Sequence, residues 1–98
     1  MGLIGLCKKA GALVLGFDAV VEKVKERKQG LVLFTSDFSL KSLVRIKEKL
    51  INFDVRFIIL KDVTMDDLCS ILNKRTGVVL VVDTGFVSSF KKLFVLER

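Results

Sequence analysis

GLVLFTSDFSLKSLVRIKEKLINFDVRFIIL, residues 30 to 60, holds an apolar run, an amphipathic segment and a second apolar run. Leu31 to Phe34 is continuous and apolar, as expected of a strand buried on both faces. Thr35, Ser36 and Asp37 make a polar turn at its carboxyl end. Ser39 can cap a helix, because its hydroxyl accepts from an N–H that the first helical turn leaves without a partner. Leu40, Leu43, Val44, Lys47, Leu50 and Ile51 then recur at helical spacing. Lys47 alone breaks that stripe, and its alkyl stem can lie along it. Asn52 to Asp54 end the helix, and Val55 to Leu60 read as the next strand.

The alternation continues on both sides. Upstream, Leu3, Ile4, Cys7 and Ala10 line one side of a short opening helix that ends at Gly11. Leu13, Val14 and Leu15 form a short strand stopped by Gly16. Asp18 is the expected N-cap of the following helix. Phe17, Val20, Val21 and Val24 make its apolar stripe, Lys23, Lys25, Glu26, Arg27 and Lys28 occupy the rest of its surface, and Gly30 is expected to close it. Downstream, Lys61 to Val63 form a loop, and Thr64 with Asp67 has the spacing of a capping box. Met65, Leu68, Ile71 and Leu72 repeat at helical spacing until Asn73 to Gly77 break the pattern. Val78 to Val82 is the strongest strand signal in the chain. Asp83, Thr84 and Gly85 make a turn able to cap a last helix with Phe86, Val87, Phe90, Leu93 and Phe94 on its inner face.

Short apolar strands alternating with amphipathic helices place the chain in the α/β class. The expected architecture is a three-layer α/β/α sandwich with a four-stranded mixed sheet. Leu31–Phe34 and Val78–Val82 are its most apolar strands and should be neighbours at the centre. The chain has 98 residues, the size of one domain, so residues 1–98 are read as a single domain.

Lys and Arg number 17 against 11 Asp and Glu, a net charge of +6. That excess suits an anionic partner, nucleic acid before an anionic membrane surface. Cys7 and Cys69 form no CxxC and have no histidine to share a metal with, so they read as small apolar fillers in a reducing compartment. No apolar run is long enough to span a bilayer and no signal peptide is visible, which points to the cytoplasm and to no membrane partner.

The chemistry of catalysis is missing. The chain has no histidine, the commonest general base and metal ligand. It holds no nucleophile elbow, no phosphate-binding loop and no dinucleotide fingerprint. Asp66 and Asp67 fall in a first helical turn, where carboxylates serve the helix dipole. Asp37 and Asp83 lie just past strand ends, where turn-forming and helix-capping roles suffice. The expectation is a protein with no catalytic residues, no metal and no cofactor.

Residues 8 to 39, KKAGALVLGFDAVVEKVKERKQGLVLFTSDFS, resemble the ribosomal L-seven-Ae and L-thirty-e family, and most of all its small bacterial YlxQ-like members. Lys9, Gly11, Gly16, Gly30, Leu31, Val32 and Asp37 carry the likeness. Residues 68 to 93, LCSILNKRTGVVLVVDTGFVSSFKKL, resemble the family's closing helix, loop, strand and helix. The resemblance covers nearly the whole chain and implies a ribosomal L-thirty-e-like fold. It also implies a ribonucleoprotein role in the ribosome or translation, binding kink-turn RNA, a sharply bent helix–bulge–helix. Carried over by position, the RNA contacts are Gly16, Phe17, Asp18, Ala19 and Glu22 in one region and Asn73, Lys74, Arg75 and Thr76 in the other.

Lys8, Lys9, Lys23, Lys74 and Arg75 are the candidates for phosphate contact. Family members that bind kink-turns most strongly carry Gly-x-Asn-Glu where this chain has Gly16-Phe17-Asp18-Ala19, and a Lys where it has Glu22. The alternative is therefore a protein-interaction module that keeps the fold and has lost specific RNA recognition. A monomer is expected.

Overall fold

Eight elements follow one another in the computed structural model, which describes residues 2–82 and 85–88. They are α1 (Gly2–Lys9), β1 (Leu13–Leu15), α2 (Phe17–Arg27), β2 (Gln29–Thr35), α3 (Leu40–Lys49), β3 (Asp54–Leu60), α4 (Met65–Leu72) and β4 (Val78–Val81). Residues 85–88 form a further helical turn. The strands make one four-stranded sheet in the order β1-β4-β2-β3. The strands β2 and β3 are parallel, and β4 runs antiparallel to both β1 and β2. The mixed sheet is thus as expected, with the two most apolar strands adjacent at its centre.

Side chains of a strand alternate between faces, so each central strand feeds two cores. Leu31 and Leu33 join Ile4, Cys7, Leu68 and Leu72 beneath α1 and α4. Val32 and Phe34 join Val20, Val24, Ile46 and Leu50 beneath α2 and α3. This is the three-layer sandwich. Phe86 and Val87 pack against the α1–α4 side. Asp83, Thr84, Phe90, Leu93 and Phe94 lie outside the described residues. Strand β3 is an edge, and its first half alternates exposed Asp54 and Arg56 with buried Val55 and Phe57.

Several local expectations change. Asp18 is not the cap of α2: the N-cap is Gly16, which offers no side chain, and Asp18 sits one residue inside the helix. Gly30 does not close that helix either. The C-cap is Lys28 in the left-handed conformation (φ 64°), and Gly30 already belongs to β2. A β-carbon at Gly30 would stand 2.5 Å from Leu80 Cδ1, so the glycine lets the central strands and α2 approach. Ala10 is exposed, and Ala12 takes the buried place expected of it.

The largest revision concerns α3. Ile46, absent from the expected stripe, is fully buried, together with Leu50 and the half-buried Leu43. Leu40, Val44 and Ile51 are exposed, at 73%, 48% and 77%. The α3 sequence fits two overlapping apolar files, and only the contact with the sheet selects between them. Lys47 behaves as its stem allowed: it is half-buried, with Nζ 5.4 Å from the centre of the Phe57 ring.

The caps of α3 and α4 follow the sequence. Ser39 accepts from the Ser42 N–H. Thr64 and Asp67 form a reciprocal capping box, with bonds of 3.2 Å and 2.9 Å. Replacing Thr64 with alanine removes one of these bonds and should cost about 1 kcal/mol. For a chain this size the melting temperature should fall by about 4–8 °C, readable by circular dichroism. Among the described residues no helix is long and apolar enough to cross a membrane.

Candidate nucleic-acid interface

The turn at Gly16 and the loop before β4 meet at one atom. The Gly16 N–H donates to the Val78 carbonyl at 3.2 Å, and the Thr76 hydroxyl donates to the same oxygen at 2.8 Å. The pairing of β1 with β4 brings this about, since Leu15 sits opposite Val79. Gly16 has φ 96° and ψ 152°, a region open essentially to glycine alone. Its carbonyl takes the Val20 N–H at 3.0 Å, which starts α2. Gly16 brings no side chain to cap that helix, whose first turn carries exposed Asp18 and Ala19. The N–H groups of a first helical turn receive phosphate oxygens or base edges.

The 73–77 loop is held from beneath. Asn73 ends α4 in the left-handed conformation, exposed. Thr76 is buried, so its hydroxyl serves the loop itself. Gly77 accepts the Thr35 N–H at 3.0 Å, and a β-carbon there would collide with the Phe38 ring and the Met65 side chain. Between these anchors Lys74 and Arg75 project, both exposed.

Charges at this end of the sheet are mixed. Arg75 forms an ion pair with Asp66 in the first turn of α4, which holds the guanidinium above its already high range. Asp37 accepts the Met65 N–H at 3.0 Å and so caps α4 from a distance. Partial desolvation pushes its carboxyl up, but the Thr35 hydroxyl, the Met65 and Asp37 N–H groups and the charge of Arg75 together bring it below the ordinary carboxylate value. The buried Thr35 Oγ1 has no well-aligned hydrogen-bond partner of its own among the described residues. Lys74 forms no ion pair among the described residues. The Arg45 guanidinium of α3 lies over the Phe17 ring, 5.4 Å from its centre.

A curated relative matches nearly the whole chain in sequence. The RNA-binding protein YlxQ of Enterococcus faecium is 27% identical over 93 residues, covering 95% of this chain and 88% of the relative. Over nearly its whole length the chain is similar to YlxQ. The likeness carried by residues 8 to 39 and 68 to 93 is thereby borne out. A solved structure, a protein of unknown function from Bacillus halodurans, superposes with a TM-score of 0.80 at 24% identity. The match covers 93% of this chain and 91% of that one, which establishes a common fold. No family model matches the chain.

The remaining candidate residues are dispersed. Glu22 is exposed on α2, just under one turn beyond Ala19. Lys23 pairs with Glu26 at 3.5 Å. Lys8 and Lys9 end α1 in the opposite layer, and Lys8 donates to the Ile71 carbonyl near the end of α4. They do not join the Gly16 turn. Sequence reasoning missed Arg45, because its meeting with Phe17 depends on α2 and α3 packing side by side. It also missed Asp66 as the counter-ion of Arg75; both sit nine residues apart across a helix, and periodicity carries no signal for that contact.

Proposed function

We propose that this chain, acting as a single cytoplasmic domain, is a non-catalytic RNA-binding protein of the ribosome or translation apparatus. It grips kink-turn-like structured RNA with the Gly16 turn, the start of α2 through Glu22, and the 73–76 loop. The observation that supports this reading best is the shared Val78 carbonyl, because an RNA element seated on one segment then necessarily touches the other. The name of the Enterococcus faecium relative and the net charge of +6 support RNA as the partner. In this reading Lys74 and Arg75 meet phosphates and the free end of α2 meets a base edge or a phosphate. Lys8, Lys9 and Lys23 add only long-range attraction.

Titration of a kink-turn RNA against a plain duplex tests it. A preference for the folded RNA is expected, and equal affinity would remove the specific claim. Replacing Lys74 with alanine should weaken binding and lower the salt slope by about one phosphate contact. Asp66→Asn should do the reverse, because Asp66 competes with RNA for Arg75; a several-fold tighter complex is expected. Stability should change by less than about 1 kcal/mol, since exposed ion pairs contribute little. An Asp66→Asn protein with unchanged affinity would take Arg75 out of the interface.

Asp18 and Asp66, carboxylates beside the same turn and loop, favour a second reading: a protein-interaction module of this fold. Partners retained from nuclease-treated lysate, with no RNA preference in the titration, would select it.

A further inference from the structure

The two helices over the α2–α3 core present a file of cations to each other. Phe17 of α2 meets Arg45 of α3, which defines the facing sides of the two helices. Residues four apart on a helix stack on one side. From Phe17 the file descends through buried Val21 to Lys25 and then to the C-cap Lys28. From Arg45 it descends to Lys49. Lys25, Lys28, Arg45 and Lys49 are all exposed. At the lower end the Lys28 carbonyl accepts the Asp54 N–H at 3.3 Å, joining the end of α2 to the start of β3, and Lys28 Nζ stands 6.0 Å from the centre of the Phe53 ring.

One carboxylate reaches this furrow from the two helices, at its upper end. Asp18 lies seven residues before Lys25 and so shares its side of α2, whereas Glu22 and Glu26 fall further round the helix and Glu26 is held by Lys23. Glu48 lies on the side of α3 that turns toward β3, with Val44 and Ile51. Cations in a last turn complement the helix dipole, which accounts for part of the pattern. It does not account for Arg45, which is mid-helix, nor for four cations along one furrow against the single carboxylate of Asp18.

We propose that the α2–α3 furrow is a second, sequence-independent contact for the phosphate backbone of an A-form RNA duplex. It runs from the Phe17–Arg45 junction, beside the Gly16 turn, down to Lys28 and Lys49. The inference rests on the RNA-binding reading but not on kink-turn recognition. One RNA could seat its bend on the Gly16 end and lay an adjoining helical arm along the furrow. Nearly balanced charge at the first place and concentrated positive charge at the second divide the work between shape and attraction.

The test uses the full chain with Lys25→Gln, Lys28→Asn and Lys49→Gln combined. Asparagine tolerates the left-handed cap conformation, and all three sites are exposed, so a melt should show a folded protein. The probe is an unbent RNA duplex titrated between 50 and 200 mM salt. Loss of three phosphate contacts should lower the salt slope by about 2–3, so the wild type should lose about 40-fold more affinity than the variant over that range. An unchanged slope overturns the proposal. So does tight binding of the wild type to vesicles bearing anionic headgroups with none to the duplex. A variant that loses duplex binding while the wild type shows no kink-turn preference would sustain the furrow and sink the kink-turn reading. Kink-turn binding with an undiminished salt slope in the variant would do the opposite.

Discussion

Replacing Phe34 with alanine is expected to destabilise the protein by about 3–5 kcal/mol, the largest effect of any single change considered. Phe34 is 1% exposed in the central strand β2. Its ring lies 5.3 Å from that of Phe38 and 5.8 Å from that of Phe57. Truncation leaves a cavity that neither neighbour fills, because Phe57 is held in an edge strand and Phe38 packs over Gly77. A domain of this kind has only about 5–15 kcal/mol of total stability. The urea midpoint should therefore drop steeply with the slope preserved. The lesion should also reach the candidate interface, since Phe38 supports the 73–77 loop from below. A loss under about 1 kcal/mol would mean that the core beneath α2 and α3 is not packed as described.

Gly16→Ala is expected to cost about 1–3 kcal/mol and to abolish discrimination between bent and straight RNA. The two effects share one cause. Space is not the obstacle, because an added β-carbon at Gly16 meets nothing within 4 Å. Backbone conformation is: φ 96° with ψ 152° is strained for any residue with a side chain. Relief of the strain would rotate the Gly16 N–H away from the Val78 carbonyl and shift the start of α2 relative to the 73–77 loop. Chemical denaturation reads the first effect. Competition between kink-turn and duplex RNA reads the second, at a temperature where the variant is folded. Full stability with full discrimination would show that neither the turn geometry nor its link to Val78 matters.

Much of the site was legible as separate pieces. The Gly16 stop, the Thr64–Asp67 box and the exposed Lys74–Arg75 pair all follow from local residue chemistry, and each stands where its spacing put it. Their mutual placement was not legible. Asp18 looked like a cap because its chemistry suits one, yet the turn at Gly16 begins the helix two residues earlier. Arg75 looked like an available cation, yet the fold of the loop returns it to Asp66.

Residue pattern alone determined the class of fold and which strands lie at its centre. A strand with no polar residue must be covered on both faces, and Leu31–Phe34 and Val78–Val81 meet that condition wherever the rest of the chain goes. Tertiary structure decided which side of α3 is inside, which carboxylate faces Arg75 and which cations share a furrow. Those outcomes depend on contacts between residues distant along the chain. A helical period allows several faces, and only the surface it packs against chooses one.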